Sequence, residues 1–174
     1  MLRRTKAEQV APIYNDFLKK YPNLKSLSSG KIEDISKFTL HLGLHWRAAD
    51  FINACKFIEI EYDGIIPDSR KDLLLIPGIG EYVAGAILTI CFKKPEFVID
   101  SNIARFINRY YGLELTGEIR RKKVIIEKAK ILFNIHNPDK LLFSMLDFTA
   151  LVCKPRNPEC FNCILNKKCS FFNF

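Results

Sequence analysis

Leu75-Ile76-Pro77-Gly78-Ile79-Gly80-Glu81-Tyr82, followed by the apolar run Val83 to Phe92 and then by Phe97-Val98-Ile99-Asp100, is the stretch on which the reading of this chain turns. Pro77 to Gly80 interrupts an apolar pattern that resumes at once with helical composition, so it reads as a tight turn between two helices. Asp68-Ser69 supplies a helix cap for the first, over Arg70 to Leu75, and the second runs from Glu81 to Phe92. With no Cβ at Gly78 or Gly80, and with unpaired N-H groups at the start of the second helix, the turn offers backbone donors to an anion. Twenty residues past Gly80, Asp100 is the first polar residue after Phe97-Val98-Ile99. It reads either as the N-cap of a helix whose buried side is Ile103, Phe106, Ile107 and Tyr110, or as an acid placed for chemistry.

Outward from this centre the pattern is helical throughout. Ala7, Val10, Ala11, Tyr14, Phe17 and Leu18 recur at helical spacing, and Pro22 ends that segment. Further helices are expected over residues 31–42, from Leu44 to about Glu61, over 120–135 and over 141–152. The helix of Glu81 to Phe92, apolar on nearly every face, belongs at the centre of the protein. Arg105 and Arg109 share one face at i, i+4 and read as a solvated basic side or as a contact surface. Asp147 rivals Asp100 as an acid. No strand is needed anywhere, so the fold class is all-α.

At 174 residues the chain can hold one domain or two small lobes. Hydrophobic content of 48% with 26% charged residues is that of a soluble globular protein, and the longest apolar run falls far short of the roughly 20 residues of a membrane span. No signal peptide is visible, so a cytoplasmic, nucleoid-associated protein is expected, with no membrane partner and as a monomer. The net charge of +8 favours a polyanionic partner. Of six cysteines, Cys55 and Cys91 lie alone in apolar helical stretches and read as core thiols, while Cys153, Cys160, Cys163 and Cys169 are separated by six, two and five residues. That is a metal pattern, and spacing alone leaves both a four-thiolate zinc and an iron-sulfur cluster open.

The glycine hairpin, the acid at Asp100 and the C-terminal cysteines, in this order, together resemble the helix-hairpin-helix DNA glycosylases of the endonuclease III superfamily. Leu75 to Arg109 is most similar to the branch of the thymine/guanine mismatch glycosylases and A/G-mismatch adenine glycosylases. The resemblance implies an endonuclease III-like helical fold with the helix-hairpin-helix at about 69–92 in a six-helix-type domain of residues 6–112. A second lobe, 1–5 with 113–174, would carry a [4Fe-4S] cluster loop at 153–169, ligated by Cys153, Cys160, Cys163 and Cys169. The usual N-terminal helix is expected to be missing. Double-stranded DNA with a mismatched or damaged base is the implied partner.

Site roles follow from the same resemblance. Asp100 would stabilise positive charge on the sugar as the base leaves, with Asn102 positioning water or phosphate, and Asp147 would be a buried, hydrogen-bonded carboxylate that holds helix ends together. Tyr82 stands where strand-cleaving members carry a lysine, so base removal without efficient strand cleavage is expected. Arg3 and Arg4 fall where relatives fill the gap left by an extruded base; His45 and Trp46 are candidates for a second wedge. Gly78, Gly80, Lys154 and Arg156 would meet phosphates. The implied activity is removal of thymine or uracil opposite guanine. An adenine glycosylase acting opposite guanine or 8-oxoguanine is the alternative, and a non-catalytic iron-sulfur DNA-binding protein is a third possibility of another class.

Overall fold

The computed structural model describes residues 7–44 and 46–173, and every regular element among them is helical. The chain divides into two compact units, Met1–Gly80 and Glu81–Phe174. In the first unit, α1 (Ala7–Lys20) runs to the turn closed by Pro22, and α2 (Leu24–Ser28) follows at once. This short helix escapes a reading by periodicity because five residues hold too little pattern. Its signal is a reciprocal cap: Ser26 N donates to Asn23 Oδ1 at 2.9 Å, and Asn23 N to Ser26 Oγ at 3.3 Å. α3 (Ile32–Leu40) and α4 (Arg47–Glu61) complete the helical layer. Phe17, Tyr21, Ile35, Ala48 and Ile52 form its core, with Phe17 meeting Phe38 edge-on at 5.6 Å. The helix expected from Leu44 begins at Arg47, and Leu44 instead packs with Val10 and Leu42.

α5 (Arg70–Leu73) starts as the sequence indicates, with Ser69 Oγ accepting from Asp72 N at 3.1 Å. The turn that follows needs glycine at one position more than at the other. Gly78 has φ +78°, and a Cβ there would lie 3.0 Å from Asp50 Cβ. Gly80 faces open space.

The second unit holds α6 (Glu81–Ile90), α7 (Ser101–Tyr110), α8 (Lys123–Phe133), α9 (Pro138–Leu151), a 3-10 turn at Asn166–Lys168 and α10 (Ser170–Asn173). Val98, Ile103, Ile107, Ile125, Phe133 and Leu142 are fully buried in one cluster that joins α7, α8 and α9. Each large side chain taken wholly out of water contributes about 1.5–3 kcal/mol. α9 begins earlier than the apolar pattern because Pro138 occupies its first turn, where its missing N-H leaves no gap. α8 begins later than Arg120, at Lys123.

Two expectations are corrected here. Asp147 is exposed on α9 with no hydrogen-bond partner among the described residues, because the face of α9 that turns inward carries Leu142, Met145 and Thr149. It therefore holds no helix ends together. Cys55 is buried as expected, but Cys91 follows the last residue of α6 and is exposed. No helix among the described residues is long and apolar enough to cross a membrane.

The contrast between the two hairpin glycines is measurable. Gly78→Ala should destabilise the protein by about 1–3 kcal/mol in urea unfolding, through positive φ and the Asp50 contact. Gly80→Ala should cost less than about 1 kcal/mol, since neither constraint applies.

Candidate active site

Asp100 is the N-cap of α7, and this role leaves part of its carboxylate free. Oδ1 accepts from Asn102 N at 2.9 Å and from Ile103 N at 2.7 Å, whereas Oδ2 receives only the Asn102 side-chain amide at 3.3 Å. The capping and the chemical readings of Asp100 thus use different oxygens.

From Asp100 a chain of hydrogen bonds leads along α7 into the cysteine loop. Asn102 Oδ1 accepts from Arg105 Nη1 at 2.8 Å, and Arg105 Nη2 donates to Thr149 O at 2.9 Å and to Cys153 O at 2.8 Å. One turn on, Arg109 Nη1 donates to Lys154 O at 2.7 Å and to Cys153 Sγ at 3.7 Å, Nη2 donates to Pro155 O at 3.1 Å, and the guanidinium stacks on Phe171 at 4.6 Å. Arg105 and Arg109 are therefore neither a solvated basic face nor an outward contact surface. Their i, i+4 spacing is visible in the sequence; what they grip is not. Burial, the largest influence on Arg105, lowers its pKa against the pull of Cys153 and Asp100.

Tyr82, in the first turn of α6, is 42% exposed. Burial of the rest of the ring raises its pKa, and the Asp100 carboxylate adds to the rise, so its hydroxyl stays protonated at neutral pH and senses the acid. Lys93 is held at Asp139 by a 2.6 Å ion pair. In the first unit, the Gly78 and Gly80 amides donate to no backbone acceptor among the described residues, while Gly78 O accepts from Arg47 Nη1 at 3.3 Å. The same guanidinium stacks on the half-exposed Trp46 at 4.8 Å. Arg3, Arg4 and His45 lie outside the described residues. Arg156 is exposed, and Lys154 is tied to Glu159 at 2.6 Å.

Cys153, Cys160, Cys163 and Cys169 all line one hollow, partly open to solvent and walled by Phe106, Tyr110, Phe148 and Phe171. None is in a disulfide. Leu165 N donates to Cys163 Sγ at 3.4 Å, as Arg109 does to Cys153. Burial pushes the Cys160 thiol up, and Cys153 and Cys169 add to this. The cysteines surround the hollow and do not meet at a point: among the described residues no three His, Cys, Asp or Glu side chains are grouped for a single ion. A four-iron cubane takes each thiolate on a different iron, and four thiols set around a hollow with N-H groups aimed at sulfur fit that group.

Residues 61–90 match the helix-hairpin-helix motif family. An adenine DNA glycosylase of Buchnera aphidicola is 30% identical over 99% of this chain and 49% of its own length, so the chain spans about half of that relative. The thymine-DNA glycosylase of Aeropyrum pernix is 32% identical over 99% of this chain and 79% of its own. The chain belongs to the helix-hairpin-helix DNA glycosylases of the endonuclease III superfamily. The solved structure of a thermostable thymine-DNA glycosylase agrees, superposing with a TM-score of 0.92 at 31% identity over 99% of this chain and 80% of that one. The all-helical fold is that of this superfamily.

Because Arg105 supplies donors to two partly buried carbonyls, Arg105→Met should destabilise the protein by about 1–3 kcal/mol. Thermal unfolding of the two proteins checks this, with Lys56→Met, at an exposed position, as a control for the loss of a charge.

Proposed function

We propose that this protein is a monofunctional DNA glycosylase that releases thymine or uracil opposite guanine. The observation that carries the reading is the Asp100 carboxylate, with Oδ1 fixed in the helix cap and Oδ2 bonded only to the Asn102 amide, while Tyr82, whose hydroxyl feels its charge, offers no amine. A base must leave the stack before its glycosidic bond can be reached, which costs a few kcal/mol and least at a mismatch. Bond breaking then leaves positive charge on the sugar, as in glycoside hydrolysis. Asp100 Oδ2 stabilises that charge, and Asn102, already bonded to Oδ2, positions water beside it. Tyr82 lines the base pocket with a neutral hydroxyl. The Gly78 and Gly80 amides, Trp46, Lys154 and Arg156 contact the duplex, as do Arg3, Arg4 and His45.

A [4Fe-4S] cluster held by Cys153, Cys160, Cys163 and Cys169 would cross-link the loop of residues 153–169, leaving its basic residues in place for phosphates. Base release does not pass through it. In this reading the protein acts as a monomer at the nucleoid, with lobes of residues 6–112 and of 1–5 with 113–174. The adenine glycosylase reading has the support of the half-length matches to those enzymes. An assay on duplexes with T/G, U/G, A/G and A opposite 8-oxoguanine separates the readings: release of thymine or uracil is expected, and release of adenine alone would replace this proposal.

Asp100→Asn should reduce base release at least 100-fold, about 2.7 kcal/mol or more of transition-state stabilisation, while mismatch binding stays within about threefold. Single-turnover kinetics and a binding titration read the two effects separately.

Wild-type protein should leave intact abasic sites that break only on later alkali treatment, with little adduct trapped by borohydride. Lys93 is engaged by Asp139 and should not substitute as a nucleophile. Tyr82→Lys should gain strand cleavage and a trapped adduct, because burial, the larger influence at this position, lowers the lysine pKa against the pull of Asp100 and releases free amine. Efficient trapping by the wild type would remove the monofunctional assignment.

A further inference from the structure

Arg120-Arg121-Lys122-Lys123 is a run of four exposed cations placed where local electrostatics disfavours them. Lys122 is the N-cap of α8 and Lys123 its first residue, and the first turn holds no acid. The N-terminus of a helix carries partial positive charge and normally attracts carboxylates. Nearby carboxylates offset little of this. Glu118 is taken up by Arg120, whose Nε donates to it at 2.8 Å, and Glu127 comes only within 3.9 Å of Lys123. No ion pair among the described residues involves Arg121 or Lys122.

The bonds to Glu118 raise the Arg120 pKa most, and the Asp100 carboxylate contributes as well. Glu118 fixes the Arg120 side chain in position and also attracts Arg121, and Glu127 lies 3.9 Å from Lys123. Four exposed cations kept against the helix dipole, with only these two carboxylates near them, match the charge of a phosphate backbone.

We propose that Arg120, Arg121, Lys122 and Lys123 form a phosphate-binding surface for the DNA duplex, separate in sequence from the hairpin turn and the cysteine loop. This rests on the glycosylase reading above. The surface neutralises backbone phosphates, so its contribution depends strongly on salt. It carries no sequence preference, since it meets only the backbone.

The test compares Arg121→Gln/Lys122→Gln/Lys123→Gln with a variant of equal charge change in the other unit, Lys25→Gln/Lys31→Gln/Lys56→Gln. Both are titrated, alongside the wild type, against a duplex holding a tetrahydrofuran abasic analogue over a salt series. Every phosphate left without its cation lowers the slope of log K against log salt by about 0.9, so the first variant should lose roughly 2–3 units of slope. Its binding near 0.1 M salt should weaken at least about tenfold, against less than about twofold for the second. Its melting temperature should equal or exceed that of the wild type, because cations leave the N-terminus of α8. Equal losses in the two variants would reduce the effect to net charge and overturn the inference. An unchanged slope, or a lowered melting temperature in the first variant, would overturn it too. If the wild type neither binds this duplex nor releases any base, the glycosylase reading falls and takes the surface with it; if it does both while the first variant keeps its slope, only the surface is wrong.

Discussion

The Arg105 guanidinium, held between Asn102 on its own helix and the carbonyls of Thr149 and Cys153, is the contact on which the second unit depends. The last turn of a helix leaves carbonyls without intrahelical partners, and partly buried ones must find donors. α9 ends at Leu151, so Thr149 O is such a carbonyl, and Cys153 O begins the irregular loop beyond it. Arg105 meets both, and Arg109 one turn later meets the next two carbonyls. The cysteine loop therefore takes its starting position from α7, the helix whose first turn is capped by the candidate acid. A shift of α7 along its axis would displace the carboxylate and the first cysteine together.

Asp100 shows how a structural role leaves room on the same side chain for the proposed chemical one. Capping needs an acceptor for the first amides of the helix, and one carboxylate oxygen satisfies it. Burial, and after it the charge of Asp100, keeps the Tyr82 phenol neutral.

Much of this is legible in the chain itself, because local rules govern it. The Gly78 turn, the Ser69 and Asp100 caps and the amphipathic faces of α1 and α7 depend on residues within a few positions of one another, and the cysteine spacing carries a family pattern. What fails does so for lack of range. The five residues of α2 give too little periodicity. The family resemblance implies burial for Asp147, yet α9 turns that position outward to keep Leu142, Met145 and Thr149 inside. Cys91 sits one residue past the end of α6, where an apolar run no longer implies burial.

The sequence by itself determined an all-helical chain with a glycine hairpin, an acid twenty residues beyond Gly80 and four clustered cysteines, since hydrophobic period, capping and turn chemistry are local properties of the chain. Only the tertiary structure decided that Arg105 and Arg109 turn inward to the cysteine loop, that Asp147 faces out, and that the four thiols surround a single hollow. Those outcomes depend on which unpaired carbonyls and which apolar faces meet across more than forty residues of sequence, as from Arg105 to Cys153, and no periodicity along the chain records that.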